Sequence, residues 1–536
     1  MAKSINEDVR VVVGIDFGTT FSTYAYAHKE NKNDIFVNSD WKSFYGRSKT
    51  PTTLLYNEHL KLLEWGFSTL SGRQKKARGL HWIELFKLCL MKSAQKPTLP
   101  LRLDFETAIS DYLHKLGDSI KQTLESKWPG LKFFSQVLLV LTVWEQVPAE
   151  YDKVAINIMR ECALKANLIK IKESPYLIFT TEPEAASIHC MKNLKEYKLK
   201  IGDSFMVVDC GGGTVDLSTK ILSEGEKLNE PIEQNGEDCG GSFVDKEFLK
   251  FLGKKVGQSA IEKVTKEHHG DLQRVIQEFW QFVKIPFTGE SENFESYELN
   301  LVEICPVMMQ YVDNGYKKKM EEDEWVVTIE FDDVQSMFDP VIEKILGLVR
   351  SQLGKREDCS AMILVGGFSE SKYLQSRIKK EFSASMNNKI FVPPEPMVAI
   401  VKGAVKFGLN RGVIADRILK WTYGTDILTD LASNVFDTMV KKGTRVSVDE
   451  KVTRVYKPVS KDQMKIGFDL YTTNRDNAKF CNDPHVNLLG KFAINIPLNS
   501  DSRSILYSLC FGTEIQATAT NIESGEKYET TFELDI

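Results

Sequence analysis

The 536-residue sequence lacks any apolar run that could cross a lipid bilayer. Its longest such run, residues 137–144, is far shorter than the roughly 20 residues that a transmembrane helix needs. The first ten residues, MAKSINEDVR, also lack the apolar core of a secretory signal peptide. We therefore expect a protein of the cytoplasm or the nucleus, with no membrane insertion.

The sequence also lacks a large excess of positive or negative charge, and it lacks cysteines at the spacing of known motifs. Lys plus Arg number 69 and Asp plus Glu 74, a net charge of −5, so no basic surface for nucleic acid is expected. The 9 cysteines are scattered and none has CxxC spacing, which predicts reduced thiols rather than disulfides or a zinc site. The only adjacent histidines, His268 and His269, are expected on a solvated helix face.

Three common nucleotide-binding signatures are absent. The sequence has no GxxxxGK[ST] P-loop, no strand–GxGxxG–helix unit for a dinucleotide, and no HRD and DFG set of a protein kinase. A nucleotide site in this chain would have to be built from other motifs.

One candidate motif is VVVGIDFGTTFSTYAYA, residues 11–27. A β-branched run predicts a buried strand that ends at Asp16, followed by a turn and a second strand. Glycine lets a ligand approach the backbone, and exposed N–H groups of such a turn bind anions. An Asp beside it suits hydrated Mg²⁺. Taken alone, the stretch is equally a β-hairpin with a polar turn.

A second stretch, FMVVDCGGGTVDLSTKIL, begins at Phe205 and repeats this pattern of strand, Asp, Gly/Thr turn and strand. Two such hairpins facing each other would grip a phosphate chain from both sides and place two carboxylates near one cation. The repeat favours phosphate binding over two unrelated polar turns. Cys210 lies inside the second turn, and we interpret it as a small apolar filler, with a redox-active thiol as the alternative.

Two glycine pairs form the next elements. Residues 361–382 predict a strand that ends at Gly366 and Gly367, with a helix starting near Ser369. Gly240 and Gly241 also precede a predicted helix. Small glycines such as Gly366 and Gly367 allow a flat ring to lie on the backbone, and a helix cap or tight turn is the alternative.

The three motifs IDFGTT, DCGGGTVD and VGGF, in this order, resemble those of the actin and heat-shock-70 ATPase superfamily. TTEPEAASI, from Thr180, resembles the segment that connects the family's phosphate motifs. VGGFSES, KGAVKFG and TYG are most similar to the divergent heat-shock-70-like branch called subfamily twelve. The resemblance covers roughly residues 9–425.

The resemblance implies an α/β fold: a two-lobed, actin-like ATPase with a duplicated ribonuclease-H-like core and ATP and Mg²⁺ in the cleft. The nucleotide-binding domain would span residues 1–425, with lobe I at about 9–200 and lobe II at about 201–400. After about Thr425 the apolar pattern changes to period two, as in MKIGFDLY, which predicts an all-β domain at 426–536 with the architecture of a sandwich. In position it resembles a lidless substrate-binding domain.

The resemblance also assigns site residues. Phosphates would be held by one turn from each lobe, and Asp16 and Asp209 would contact Mg²⁺ through its waters. Glu182 would lie near the metal, Lys87 near the γ-phosphate, and Asp216 near the attacking water; a solvent-facing Lys87 is the alternative. The candidate phosphate contacts are Gly18, Thr19, Thr20, Gly211, Gly212, Gly213 and Thr214, of which Thr214 would also place the water.

Adenosine contacts are implied at Gly240, Gly241, Lys284, Gly366 and Gly367. The segment QFVKIPF departs from the family's Glu-x-x-Lys-Arg, with Gln281 and Ile285 in place of the acid and the Arg. Base preference is therefore open. Trp144 likewise replaces an expected Pro.

These features predict an ATP-binding, slowly hydrolysing, chaperone-like protein whose nucleotide state is coupled to a polypeptide partner at the C-terminal β domain. A nucleotide-gated, non-catalytic scaffold or signalling protein is the alternative, and a small-molecule kinase of the same fold is a third. The sequence does not name the client or the oligomeric state.

Overall fold

A computed structural model describes residues 8–41, 44–70, 79–90, 96–143, 149–172, 174–224, 227–229, 232, 235–355, 358–413, 416–419, 421–428, 434–447, 450–460, 462–475, 477–496, 503–511 and 515–531. Trp144 lies outside these residues. Within the described part, no helix is both long enough and apolar enough to cross a membrane.

The first part of the chain contains a six-stranded mixed sheet, two smaller sheets and several helices. Its strands are β1 Val11–Asp16, β2 Phe21–His28, β3 Phe36–Val37, β4 Asp40–Trp41, β5 Phe44–Tyr45, β6 Thr50–Pro51, β7 Thr53–Tyr56, β8 Leu62–Trp65, β9 His81–Glu84, β10 Val137–Val143 and β11 Leu177–Thr181. Its helices are α1 Phe105–Lys127, α2 Phe133–Gln136, α3 Ala149–Lys165 and α4 Glu182–Glu196, with 3-10 turns at Gly66–Leu70 and Phe86–Leu90.

The second part repeats this plan. Its strands are β12 Ser204–Cys210, β13 Val215–Ser223, β14 Lys227–Asn229, β15 Asn235–Glu237, β16 Tyr297–Asn300, β17 Val326–Ile329, β18 Cys359–Val365 and β19 Ile390–Phe391. Its α-helices are α5 Ser242–Val256, α6 Gln258–Glu267, α7 His269–Phe279, α8 Leu301–Ile304, α9 Asn314–Glu322, α10 Phe331–Gly354, α11 Lys372–Phe382 and α12 Ala399–Leu409. Shorter turns lie at Trp280–Lys284 (π), Ser291–Asn293, Pro306–Gln310, Gly367–Glu370, Pro396–Val398 and Arg411–Val413.

The two main sheets have the same strand order. The first runs β11-β10-β1-β2-β3 and the second runs β19-β18-β12-β13-β14. In each, the central strand pairs in parallel on one side and antiparallel on the other, and a short extra strand, β6 or β15, pairs with the second strand of the hairpin. This duplication confirms the predicted two-lobed α/β fold.

Successive side chains of the two central strands point to opposite faces of their sheets, and they contribute in this way to three hydrophobic cores. Val11, Val13 and Ile15 of β1 face a core inside the first lobe, while Val12 faces a core that also contains residues of α4 and α12. On β12, Met206 and Val208 likewise face their own lobe, whereas Phe205 and Val207 face the core around the same two helices. Helices α4 and α12 therefore lie between the sheets and join the lobes.

The C-terminal part is all β. Its strands are β20 Asp416–Ile418, β21 Thr422–Ile427, β22 Val435–Val440, β23 Arg445–Ser447, β24 Lys451–Tyr456, β25 Lys465–Gly467, β26 Leu470–Thr473, β27 Val486–Gly490, β28 Ala493–Asn495, β29 Ile505–Phe511, β30 Ile515–Asn521 and β31 Lys527–Thr531. Two four-stranded sheets, β22-β21-β26-β27 and β24-β29-β30-β31, share one core in which the Phe468 and Tyr507 rings stack. A sandwich results, as expected.

Two boundaries differ from the expectation. Strand β21 crosses the predicted domain boundary at residue 425, and β20 already pairs with β23 of the β part. The segment MKIGFDLY is not one strand: β25 pairs with β28, while β26 belongs to a four-stranded sheet, and Met464 is exposed. The chain changes sheet between them, which a regular apolar pattern does not reveal.

We expect Gly403→Ala to lower the free energy of unfolding by about 1–3 kcal/mol, because the added methyl group would overlap the Ala185 carbonyl oxygen between α12 and α4. Gly347→Ala is the matched control, since nothing lies near that position of α10 and helix propensity favours Ala by up to about 1 kcal/mol. Urea unfolding measures both, and equal stability of the two variants would contradict the close packing of α4 and α12.

Candidate functional site

The two Gly/Thr turns meet between the lobes. Residues 17–20 join β1 to β2, and residues 211–214 join β12 to β13. A Cβ atom on Gly212 would overlap the Thr20 hydroxyl, and one on Gly213 would lie 3.0 Å from Thr19 Cγ2. Only glycine permits this approach of one turn to the other.

The backbone of the second turn is oriented by the N-terminus of α5. The N–H groups of Gly240, Gly241 and Ser242 donate to the carbonyls of the turn, at 2.8–3.2 Å. Within the described residues, by contrast, no acceptor is found for the N–H groups of four turn residues: Thr19, Thr20, Gly212 and Gly213. Such unpaired N–H groups form an anion-binding site.

Three carboxylates at the strand ends are almost fully buried: Asp16, Asp209 and Asp216 are 2%, 3% and 3% exposed. Asp209 and Asp216 are opposite each other in the β12–β13 pair. The Thr214 hydroxyl donates to Asp216 Oδ2 at 3.0 Å. The structure thus brings the predicted carboxylates of both lobes to the two turns.

Two lysines pair with acids in the same region. Lys87 Nζ lies 2.5 Å from Glu182 Oε1, and Lys87 is only 4% exposed, so the solvent-facing alternative for this lysine is wrong. Lys49 Nζ lies 2.7 Å from Asp16 Oδ2. Sequence reasoning missed Lys49, because no motif marks it and its partner is far away in sequence.

Asp209 has an unusual electrostatic environment. Burial, followed by the charges of Glu182 and Asp16, raises the pKa of Asp209 to about 8, although Lys49 and Lys87 partly oppose the rise. Its Oδ1 atom finds no hydrogen-bond partner among the described residues. A carboxylate in this state suits a bound cation.

The donor set fits a hydrated Mg²⁺ better than a directly coordinated metal. No group of three His, Cys, Asp or Glu side chains that could hold a metal ion occurs in the described part of the chain. Mg²⁺ usually keeps several waters and binds few carboxylates, so Asp16 and Asp209 would hold it through those waters.

The glycine pair after β18 shapes the neighbouring surface. Gly366 has φ +84°, and a Cβ atom there would overlap Asp209 Oδ1, so glycine is required. Gly367 has open space, with no atom closer to its would-be Cβ than Met397 Cε at 4.0 Å. Helix α11 begins at Lys372 with Ser371 as its cap, one turn later than predicted.

Lys284 lies where the adenosine helix was expected but already has partners. Its Nζ donates to the Gly241 carbonyl and to Asp245 Oδ1, each at 2.7 Å, and the side chain is buried. It therefore holds the first turn of α5. Gln281 is exposed, and the backbone here is a π-turn rather than a continued α-helix.

The two lobes also touch at β9 and α7. His269 Nε2 lies 3.3 Å and Gln273 Nε2 lies 3.4 Å from Glu84 Oε2. The expectation that both adjacent histidines are solvated is wrong for His269, which is 12% exposed as a side chain, while His268 pairs with the Tyr311 hydroxyl.

Cys210 is fully buried beside the second turn, and burial raises the pKa of its thiol. A reactive cysteine needs a lowered pKa and access to solvent, so these findings favour the apolar filler over a redox switch.

Asp209 should make stability depend on pH when nucleotide and metal are absent. Its folded pKa of about 8 exceeds that of an unfolded chain, roughly 3.9, so the native state holds a proton that the unfolded state has lost. The contribution of Asp209 to stability is complete below the unfolded pKa of roughly 3.9. It is lost as the pH rises through the folded pKa of about 8.

We therefore expect Asp209→Asn to become more stable than the parent, on the order of a few kcal/mol, as pH rises from 5 to 9 in EDTA. Chemical unfolding at each pH measures this, with Asp462→Asn as the exposed control. A parent-to-variant difference that does not change with pH would contradict the assignment.

Comparisons with known proteins identify the family. The family model described as Hsp70 protein matches residues 182–502. Human heat shock 70 kDa protein 12A is 27% identical over 96% of this chain and 90% of its own, and human heat shock 70 kDa protein 12B is 24% identical over 98% and 91%. The crystal structure of Spiroplasma citri MreB5 bound to ADP aligns with 75% of this chain and 96% of its own, at TM-score 0.46 and 14% identity.

The family model covers more than half of the chain, which is sufficient to assign the family. The protein belongs to the Hsp70 family.

Proposed function

We propose that this protein binds ATP between the two Gly/Thr turns and hydrolyses it slowly, and that the nucleotide state controls the binding of a polypeptide to the β domain. The observation that carries the nucleotide part is the set of unpaired N–H groups on two turns that contact each other across the lobes, near the Lys49–Asp16 and Lys87–Glu182 pairs. Such a set complements a chain of phosphates.

The residues present can perform phosphoryl transfer to water, which needs positioning and charge stabilisation more than covalent chemistry. In this proposal the Asp216 carboxylate, held by the Thr214 hydroxyl, orients the attacking water and accepts its hydrogen bond. Lys87, held by Glu182, stabilises charge on the terminal phosphate. Bound through its waters at Asp16 and Asp209, Mg²⁺ would neutralise charge on the phosphates.

The β domain is placed where it can respond to the cleft. Strand β13 carries Asp216 at one end and pairs with β14 at the other. Strand β14 in turn lies beside β20, the first strand of the β part. This continuous path supports coupling, since closure of the lobes on ATP would move β13.

A polypeptide could bind at the edge of the β sandwich. Strand β24 is the outer strand of its sheet. Val455, Val459 and Met464, on this strand and the loop after it, are 54%, 66% and 61% exposed. An outer strand followed by exposed apolar side chains is a feature that the addition of a peptide strand can use.

The non-catalytic scaffold is the second candidate, and the environment of Lys284 favours it. Lys284 Nζ already donates to Gly241 and Asp245, and Ile285 stands where the family has an Arg. The base of a bound nucleotide would therefore contact fewer charged side chains. Single-turnover phosphate release decides between the two: bound ATP that is never hydrolysed would leave the scaffold as the function. Release that requires an added acceptor would instead indicate a kinase.

Gly212→Val should abolish ATP binding while the fold is kept, since the branched side chain fills the space between the turns. Gly270→Val is the matched control, because nothing lies near that position of α7. Calorimetric titration with ATP and Mg²⁺ should show affinity lost in the first variant and kept in the second. Unchanged affinity in Gly212→Val would remove the nucleotide from this place.

Hydrogen exchange in β20 and β29–β31 should differ between the ATP-bound and ADP-bound protein, because only ATP carries the γ-phosphate that engages both turns. Thr214→Val should still bind nucleotide but lose this difference, while the exposed control Thr265→Val should keep it. Identical exchange in both states of the unmodified protein would mean that the β domain does not sense the nucleotide.

A further inference from the structure

Lys49 is positioned by the first phosphate turn itself. It directly precedes β6, which pairs with β2 at Phe21 and Ser22, immediately after the turn. The Thr52 hydroxyl donates to the Gly18 carbonyl at 2.9 Å, and Thr52 N–H donates to the Thr20 carbonyl at 2.8 Å. The lysine is therefore held in register with the turn that would carry the phosphates.

The residue before it is held as well. The Thr23 hydroxyl of β2 donates to the Ser48 carbonyl at 2.5 Å, and Ser48 Oγ lies 3.5 Å from Met397 Sδ. This anchoring restricts the backbone of Lys49 and so favours one position of its ammonium group, beside Asp16. The side chain is only 12% exposed.

The ammonium group occupies a position where a cation is needed. Its Nζ lies 2.7 Å from Asp16 Oδ2. Burial raises the pKa values of Asp209 and Glu370 in the other lobe, and the charge of Lys49 partly opposes both rises, so the ammonium group lies near these acids as well. An ammonium group has three N–H donors. One is used by Asp16, which leaves two for a phosphate oxygen between the turns.

Without such a cation, the site would repel its ligand. Asp16 is a buried carboxylate directly before the first turn, and a nucleoside triphosphate is strongly anionic. In most phosphate sites divalent cations neutralise this charge. Here Lys49 already pairs with Asp16, and Lys87 already pairs with Glu182.

We propose that Lys49 is a tethered cation for the nucleotide's phosphates, which supplies at Asp16 part of the positive charge that hydrated Mg²⁺ would otherwise supply. The inference rests on the proposed nucleotide function. It identifies a binding residue outside the family motifs, and its consequence is that ATP binds with little dependence on divalent cations.

The test compares the affinity for ATP in excess Mg²⁺ with that in excess EDTA, by calorimetry on the full chain. For the unmodified protein we expect a change of less than roughly threefold. Lys49→Met should bind ATP in Mg²⁺ but lose at least about tenfold in EDTA. Lys49→Arg keeps the charge and should restore cation-independent binding, and Lys61→Met, at an exposed site of the same lobe, should match the parent.

The outcomes separate the two proposals. Binding by the unmodified protein that EDTA abolishes would overturn this inference and leave the proposed nucleotide function standing. Equal tolerance of EDTA in Lys49→Met would also overturn it. Absence of ATP binding in both conditions would overturn the proposed function and this inference with it. The comparison on the unmodified protein needs no variant, so a folding defect in Lys49→Met does not prevent the test.

Discussion

Thr20 and Gly212 belong to different lobes, yet a single carbon atom added to Gly212 would collide with the Thr20 side chain. Much of the rest of the structure serves to bring these two backbones together. Each turn follows the central strand of its sheet, and both sheets pack on the same pair of helices, α4 and α12. The Gly403 backbone approaches the Ala185 carbonyl where those helices meet, so small residues there determine how closely the lobes, and hence the turns, can approach.

This close approach brings several buried acids together, and neighbouring side chains partly compensate their negative charge. Four acids, Asp16, Glu182, Asp209 and Asp216, are buried within the same cleft, and unpaired buried charges are strongly unfavourable. Asp16 and Glu182 each have a lysine, and Asp216 has the Thr214 hydroxyl. The Asp209 oxygen Oδ1 is the atom of this set that has no partner in the described structure, and the pKa of Asp209 is raised accordingly. Two of the four acids are thus paired with a lysine before any ligand binds.

The positions of the turns could be predicted from the sequence, because glycine and threonine directly after an apolar run indicate a tight turn at the end of a strand. The two turns, their Asp residues and the glycine pairs at 240–241 and 366–367 all lie where the motifs indicated. The duplicated sheets followed from the repeated strand pattern and from the family resemblance. Long-range side-chain pairs could not be predicted: Lys49 with Asp16, Lys284 with Asp245, and His269 with Glu84 depend on how distant segments pack. The same limit explains why the start of the β part was placed too late.

The two ends of the cleft differ in how they can respond to a ligand. At one end, α4 and α12 are packed through glycine and alanine and leave little room for movement. At the other, β9 and α7 meet through polar contacts of Glu84 with His269 and Gln273. Polar contacts between partly exposed side chains contribute little individually. Opening would therefore separate β9 from α7 while the helices act as the hinge. In the proposed function, β13 begins at the turn that would hold the phosphates and pairs at its other end with β14, which lies beside β20, so such a rotation of the second lobe would be transmitted to the β domain.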